Sequence, residues 1–436
     1  MTQEPPLFSR PPMGWNSWDC YGASVTEAEV LGNAEYMAEH LLAFGWEYVV
    51  VDIQWYEPGA NSSLYRPFVP LETDAYSRLI PAVNRFPSAA NGVGFKALAD
   101  AVHARGLKFG IHIMRGIPRQ AVHANTPVLG TPVTARDIAH PNSVCPWNTD
   151  MYGVDPSKPG AQAYYDSLFA LYAEWGVDLV KVDDVSASRL YHIHAGEISM
   201  LRQALDRCGR PMVLSLSPGP APLEYAELLS ANANMWRLTD DFWDQWPPLE
   251  EMFERCHEWT PFRTPGHWPD PDMLPLGHLG LRSVDGGAGD RMTRFTHDEQ
   301  RTLMTLWCMS RAPLVFGGEL RDNDPFTLSL ITNRRVLEIQ QYSSENRQVR
   351  REGNEVVWSA RSREGTPLLA LFNLGESPLD VSVTAELLGA ALPDSMLNLW
   401  SGVRETRDGE KISLTVPAHG VVLLEGDRAE ESGERG

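Results

Sequence analysis

The sequence lacks the features that mark several specialised classes of protein. Only five of its 436 residues are cysteine, an odd number at scattered positions with no Cys-x-x-Cys pair, so neither a disulfide framework nor a zinc site is indicated. No uninterrupted apolar run approaches the roughly 18 residues that a membrane-spanning helix needs. The N-terminus has neither a basic start nor an apolar segment, which predicts a cytoplasmic protein without a signal peptide.

Positive charge is also scarce. There are 37 Lys and Arg residues against 57 Asp and Glu residues, which gives a formal net charge of -20, and the basic residues form no cluster. Nucleic acids and anionic membranes are bound by basic surfaces, so both are disfavoured as partners, and a neutral or cationic ligand is expected. The apolar content of 43% and the 14 tryptophans are typical of a folded globular chain.

What the sequence does contain is a repeating alternation of strand and helix. The spacing of Thr26 and Glu29 is that of a capping box, and apolar residues follow at helical spacing. Short apolar runs, several of them preceded by such a segment, predict eight strands. The first opens residues 11–22, and the others lie at residues 48–52, 107–112, 177–182, 211–217, 235–237, 266–268 and 312–317. Eight parallel βα units predict a (β/α)8 barrel over residues 1–340, with an open doubly wound sheet as the alternative.

The pattern changes after residue 340. Residues 356–361, 367–372, 379–383 and 421–424 are short strand-like runs separated by turn residues. This spacing predicts an antiparallel β-sandwich domain over residues 341–427. The polar residues 428–436 are predicted to be a disordered tail.

In a (β/α)8 barrel the functional groups gather at the carboxyl ends of the strands. Acids and tryptophans dominate these positions. Carboxylates accept hydrogen bonds from sugar hydroxyls, and aromatic rings stack on sugar C–H faces, so the pattern favours a carbohydrate pocket. The candidate residues are Trp18, Asp52, Gln54, Trp55, His112, Lys181, Asp183, Ser217, Arg237, Asp240, Asp241 and Asp272.

A glycosidase needs two acids with different roles, a nucleophile and a proton donor, and this set of residues offers candidates for both. Lys181 and Asp183 share one face of the predicted fourth strand, so the lysine favours an ionised Asp183 that is ready to act as a nucleophile. A carboxylic acid must then come from another strand, and the best source is the loop that holds Asp240 and Asp241. An ordinary ion pair between Lys181 and Asp183 is the structural alternative.

Several motifs together resemble the α-galactosidase (melibiase) family of retaining glycoside hydrolases. That family also includes α-N-acetylgalactosaminidases, β-L-arabinopyranosidases and isomaltodextranases. The resemblance implies a (β/α)8 catalytic barrel, a C-terminal β-sandwich, double displacement through a covalent glycosyl-aspartate, and no metal or organic cofactor. The motifs lie at residues 13–18 (Met-Gly-Trp-Asn-Ser-Trp), 48–55, 106–111, 178–183, 236–237, 270–273 (Asp-Pro-Asp-Met) and 312–314.

The resemblance also implies roles for single residues. The Lys-x-Asp motif makes Asp183 the nucleophile, and the Arg-x-x-x-Asp motif that begins at Arg237 makes Asp241 the acid/base, with Asp240 as its neighbour. The expected sugar ligands that match the family's motifs are Trp18, Asp52 and Asp272. Lys181, Arg237 and Asp240 are expected to bind substrate beside them, as are Gln54, His112 and Ser217.

Departures from the family pattern leave the sugar open. Galactosidases of this family carry two successive aspartates after the second strand, for the axial 4-OH and the 6-OH, but here Asp52 is followed by Ile53 and Gln54. His112 replaces a tyrosine, and Ser217 lies where the C2 substituent is read. Removal of terminal α-galactose is the leading expectation, and another sugar, such as an α-glucan, an α-N-acetylgalactosaminide or a β-L-arabinopyranoside, is the alternative.

Two further classes are alternatives to a cofactor-free hydrolase. One is a carbohydrate-binding barrel that has lost catalysis, which the presence of both acids disfavours. The other is a metal-dependent hydrolase, for which the only sequence hint is the pair His192 and His194, without a matched third ligand. The oligomeric state is left open by the sequence.

Overall fold

A computed structural model describes residues 8–62, 64–187, 192–284, 289–389 and 391–426. The predicted tail, residues 428–436, lies outside these ranges. The chain divides into two compact units. The first comprises Met1–Trp243, Thr264–Thr293 and Leu314–Asn323, and the second comprises Asp244–Arg263, Arg294–Pro313 and Asp324–Gly436. The predicted boundary at residue 340 stays a prediction.

The first unit contains one eight-stranded parallel sheet, and each predicted barrel strand is present in it. The strands neighbour one another in chain order, with the eighth beside the first. They are β1 (Met13–Asn16), β2 (Tyr48–Val51), β3 (Lys108–Met114), β4 (Leu179–Asp183), β5 (Val213–Leu216), β6 (Met235–Arg237), β7 (Trp268–Asp270) and β8 (Leu314–Phe316).

The sheet curls so that its two edge strands, β7 and β8, approach each other. Leu274, which follows β7, forms a parallel bridge with Phe316 of β8, and the Leu274 N–H donates to the Val315 carbonyl. Tyr48, Val50, Leu179, Val213 and Met235 form one buried apolar cluster. Strand alternation therefore points Leu179 inward, and Lys181 and Asp183 share its face. The (β/α)8 fold expected from the sequence is confirmed.

Helices alternate with these strands along the chain. The first begins with the predicted capping box, in which the Glu29 carboxylate accepts a hydrogen bond from the Thr26 N–H at 2.9 Å. The main helices are α1 (Glu27–His40), α2 (Lys96–His103), α3 (Ala161–Trp175), α4 (Ala195–Arg207), α5 (Ala226–Asn232), α6 (Trp246–Trp259), α7 (His297–Met309), α8 (Pro325–Ile331) and α9 (Arg334–Tyr342).

Short elements occupy the loops. Single helical turns lie at Trp18–Tyr21, Arg119–Ala124, Ala135–Ile138 and Ala385–Leu388. A small three-stranded sheet joins Ile117–Pro118, Met151–Val154 and Ala139–Val144, and His278–Leu279 pairs with Arg291–Met292.

The C-terminal part is an antiparallel β-sandwich, as the sequence predicted. Its strands are β9 (Ser344–Glu352), β10 (Glu355–Arg361), β11 (Pro367–Asn373), β12 (Leu379–Thr384), β13 (Ser395–Asn398), β14 (Arg404–Thr406), β15 (Lys411–Val416) and β16 (Val421–Gly426). The larger sheet has the order β9-β10-β11-β16-β13-β14, and β12 pairs with β15 in the smaller one. Apolar side chains from both sheets, including Val357, Leu371, Val381 and Ile412, form the core of the domain.

Among the described residues, no helix combines the length and the apolar character needed to cross a membrane. The cytoplasmic location stays a prediction from the sequence. None of the five cysteines forms a disulfide.

Candidate active site

A cavity of about 310 Å³ lies at the carboxyl ends of the barrel strands. Its wall combines six carboxylates, two permanently charged cations and several aromatic rings, all from the first unit. The residues that line it are Trp18, Asp19, Asp52, Ile53, Tyr65, His112, Trp147, Lys181, Asp183, Pro218, Arg237, Asp240, Asp241, Phe242, Trp243, Asp272 and Met273. Its location at this end of the barrel is the one where active sites of the fold occur.

Asp183 ends β4 and is held as an anion. His112 Nε2 lies 3.1 Å from Asp183 Oδ2, and the Asp184 N–H donates to Asp183 Oδ1 at 2.7 Å. Burial favours the neutral acid, but the hydrogen bond and charge of His112, together with the Lys181 ammonium, outweigh it and lower the pKa of Asp183. An ionised carboxylate in a buried pocket is a competent nucleophile.

The backbone at Asp184 makes one of these contacts possible. Its φ of 57° lies in the left-handed region, which Asp tolerates better than most residues. The Asp184 side chain points away from the cavity and pairs with buried Arg115, whose Nη2 lies 3.0 Å from Asp184 Oδ2. This pairing anchors the turn that follows the candidate nucleophile.

Lys181, which is partly exposed, pairs with the buried Asp52. Lys181 Nζ lies 3.0 Å from Asp52 Oδ2, and the Asn16 side-chain amide donates to the same oxygen at 2.8 Å. Burial would raise the pKa of Asp52, but the Lys181 ammonium holds it well below its usual range. Lys181 therefore contacts Asp52 directly and acts on Asp183 through its field, so His112 is the direct partner of Asp183.

Arg237, at the end of β6, forms ion pairs with two further acids of the wall, Asp272 and Asp241. Its Nη2 lies 2.8 Å from Asp272 Oδ2 and 3.1 Å from Asp241 Oδ1. Asp272 is buried, whereas the Asp241 side chain is 54% exposed, and Asp240 Oδ1 accepts from the Asp241 N–H. Asp241 is thus the acid of this group that both the cavity and the solvent can reach. Asp272 has a φ of 86°, a strained conformation of the kind that persists at functional sites.

Aromatic rings form one side of the cavity. The Trp18 and Tyr65 rings are nearly parallel, at 13°, with centroids 6.5 Å apart, and Tyr65 also contacts Trp147 at 5.4 Å. Trp55, the other candidate for stacking, is instead fully buried in the core, where its indole N–H donates to the His112 carbonyl.

The structure brings nine of the twelve candidate residues to the cavity wall. Besides Trp55, the positions expected for Gln54 and Ser217 need correction. Gln54 turns away because its backbone has a φ of 60°, and its side-chain amide donates to Asp150 Oδ2 at 2.9 Å. Ser217 is buried behind the wall, and the next residue, Pro218, lines the cavity in its place.

Other wall residues were missed by the sequence analysis. Asp19 follows Trp18 directly, so the strand-end rule that selected Trp18 also pointed to it. Tyr65 and Trp147 lie in the long loops after β2 and β3, where no local signal distinguishes a pocket residue from a surface aromatic residue. Within the described ranges, no group of three His, Cys, Asp or Glu side chains is arranged to hold a metal ion.

Known proteins share this architecture and sequence. Residues 149–342 match the family model for alpha galactosidase A, and residues 352–425 match that for the alpha galactosidase C-terminal beta sandwich domain. A solved GH27 β-L-arabinopyranosidase from Geobacillus stearothermophilus is 64% identical, with a TM-score of 0.95 over 98% of each chain. The chain belongs to glycoside hydrolase family 27 (GH27).

A second structure of the same enzyme and a more distant relative extend the comparison. A variant of the Geobacillus enzyme, solved in complex with arabinose, is also 64% identical, with a TM-score of 0.95 over 97% of this chain and 98% of that one. The alpha-galactosidase of Cyamopsis tetragonoloba is 26% identical over 425 residues, 95% of this chain and 85% of its own. As a GH27 member the protein is a glycoside hydrolase that acts on carbohydrate.

The contact between His112 and Asp183 gives a testable pH dependence. Because His112 lowers the pKa of Asp183, the His112→Phe substitution raises that pKa. If activity needs an ionised Asp183, acidification should therefore inactivate the variant at a higher pH than the parent enzyme. We expect the acid limb of the kcat/KM profile, measured with a nitrophenyl glycoside, to move to higher pH.

The matched control is His123→Phe, which alters an exposed histidine outside the cavity. Its acid limb should coincide with that of the unmodified GH27 enzyme. An unchanged acid limb in His112→Phe would show that His112 does not govern the ionisation of Asp183.

Proposed function

We propose that the protein is a retaining, exo-acting glycosidase that releases terminal β-L-arabinopyranose, with terminal α-D-galactose as its second substrate. The choice of sugar rests on the presence of an apolar residue, Ile53, in the cavity wall. This side chain is buried and lines the cavity directly beside Asp52. It stands where the galactosidases of the family are expected to carry the acceptor for the 6-OH.

The two sugars differ only at that point. β-L-Arabinopyranose has the ring configuration and the anomeric geometry of α-D-galactopyranose but carries no hydroxymethyl group on C5. A wall with a carboxylate at position 53 would hydrogen-bond the 6-OH, whereas an isoleucine offers an apolar contact and leaves that hydroxyl without a partner. Ile53 therefore favours the smaller sugar. The similarity to the Geobacillus β-L-arabinopyranosidase supports the same choice.

The acids support double displacement. Asp183 attacks the anomeric carbon and forms a covalent glycosyl-aspartate, while Asp241 protonates the departing glycosidic oxygen. Asp241 then removes a proton from water, the water oxygen attacks the anomeric carbon, and the bond to Asp183 breaks. The ionised state of Asp183, whose side chain is 17% exposed, suits the first role, and the half-exposed position of Asp241 suits exchange of leaving group and water.

Five further wall residues bind the sugar or hold its ligands in place. Asp52 and Asp272 accept hydrogen bonds from ring hydroxyls, and their partners Lys181 and Arg237 keep them in place and supply donors. Trp18 offers an apolar ring face for stacking. With an apolar ring face and charged acceptors around one small cavity, the site suits a single terminal sugar.

The choice of sugar is tested by the Ile53→Asp substitution. A carboxylate at this position supplies an acceptor for the 6-OH and removes apolar contact. We expect the ratio of kcat/KM for p-nitrophenyl α-D-galactopyranoside to that for p-nitrophenyl β-L-arabinopyranoside to rise by roughly 10- to 100-fold. The unmodified enzyme should prefer the arabinopyranoside.

Ile53→Val is the control, because it keeps the apolar character and should leave the preference almost unchanged. A parent enzyme that prefers the galactoside, with a ratio that Ile53→Asp does not move, would argue for an α-galactosidase. Turnover of neither glycoside, despite sugar binding, would support the non-catalytic alternative.

The acid/base is tested by comparing two adjacent aspartates. We expect Asp241→Ala to lower kcat/KM by about 10²- to 10⁴-fold for an alkyl or sugar leaving group. The loss should be much smaller for a dinitrophenyl leaving group, which departs without protonation. Asp240→Ala should affect both kinds of substrate equally and weakly. The opposite pattern for the two variants would assign the role to Asp240.

A further inference from the structure

Asp19 is a buried carboxyl group of the cavity wall that the catalytic scheme does not use. It follows Trp18 in the helical turn after β1 and retains only 3% of its surface exposure. The mechanism already has a nucleophile and an acid, and Asp52 and Asp272 already supply charged acceptors. Asp19 needs a separate explanation, because an aspartate is rarely buried unless it is paired.

The packing of Asp19 disfavours a charged side chain. Its Oδ2 atom is buried and has no hydrogen-bond partner among the described residues. This oxygen lies against the backbone of Gly317, just after β8, where an added Cβ would come within 1.9 Å of it. A carboxylate oxygen in such a place loses its hydration without replacement, whereas the carbonyl oxygen of a neutral acid loses much less.

The charges that face Asp19 also favour its neutral form. Burial has the largest effect, and the carboxylates of Asp272, Asp241 and Asp52 add to it, so the pKa of Asp19 rises well above its usual range despite the opposing Lys181 ammonium. The nearby cations are engaged elsewhere, since Lys181 pairs with Asp52 and Arg237 with Asp241 and Asp272.

The second carboxyl oxygen of Asp19 is the one that a ligand in the cavity can reach. Asp19 lines the cavity, and because Oδ2 is packed against Gly317, Oδ1 is the atom available to a ligand. An ionised carboxylate only accepts hydrogen bonds, whereas a neutral acid carries an O–H donor. Sugar hydroxyls need donors as well as acceptors, and a neutral Asp19 adds a donor without adding charge to a crowded wall.

We propose that Asp19 binds a ring hydroxyl of the terminal sugar as a neutral hydrogen-bond donor and so helps to set sugar specificity. This inference rests on the proposed glycosidase function of the same cavity. It assigns Asp19 a substrate-binding role that is separate from the nucleophile and the acid/base.

The test compares Asp19→Asn with Asp19→Ala. The Asn side chain has the shape of the neutral acid and keeps a donor, so kcat/KM for p-nitrophenyl β-L-arabinopyranoside should stay within a few-fold of the parent value. The Ala side chain removes the donor and should lower kcat/KM by about 10- to 100-fold. Thermal unfolding checks the fold of each variant, and Asp19→Val, which also lacks a donor, replaces Asp19→Ala if the latter does not fold.

Deoxy substrates separate a direct contact from a structural effect. The same variants are assayed with the 2-, 3- and 4-monodeoxy forms of the glycoside. If Asp19 donates to one hydroxyl, the loss caused by Asp19→Ala should nearly vanish for the analogue that lacks this hydroxyl and persist for the other two. A structural effect would lower kcat/KM equally for all of them.

Three results would overturn the proposal: an equal loss on every analogue, no loss in Asp19→Ala, or a loss in Asp19→Asn as large as that in Asp19→Ala. Failure of the proposed function looks different, because the unmodified protein would then hydrolyse neither the arabinopyranoside nor the α-galactoside.

Discussion

The crowding of acids at one end of the barrel is the constraint on which the rest of the site depends. Within the described part of the chain, the cavity wall carries six carboxylates but only two permanent cations, Lys181 and Arg237. Each cation pairs directly with a buried acid, Lys181 with Asp52 and Arg237 with Asp272. Loss of either cation would leave an uncompensated buried charge, which is far more destabilising than loss of an exposed pair. The two cations therefore determine which acids can stay ionised.

Differences in environment suit these acids to the different roles proposed for them. His112 and the Asp184 N–H stabilise the ionised Asp183, whereas Asp19 is packed against the backbone of Gly317 with an unpartnered oxygen. Asp241 keeps contact with solvent, as the proposed acid/base requires. Ile53 fits the same balance, because an acid at position 53 would add a further charge to the wall. In the proposed function, sugar preference and charge balance are linked through this one side chain.

Periodicity in the sequence predicted the barrel, the sandwich and the shared face of Lys181 and Asp183, because strand alternation and strand-end clustering follow from local pattern alone. Which residues line the cavity depends on backbone angles that the local sequence pattern does not specify. A positive φ turns Gln54 toward Asp150, and a proline takes the place expected for Ser217. Tyr65 and Trp147 reach the cavity from loops, whose paths depend on tertiary contacts.

The most direct measurement is to trap the intermediate on the protein. In 2-deoxy-2-fluoro-β-L-arabinopyranosyl fluoride, the anomeric fluoride is a good leaving group. The fluorine that remains at C2 slows hydrolysis of the covalent intermediate, so the labelled enzyme should accumulate. Mass spectrometry of peptides from the inactivated enzyme should locate one glycosyl group on Asp183. A label on Asp52 or Asp241, or turnover with inverted anomeric configuration and no label, would contradict the assignment of Asp183 and the double displacement built on it.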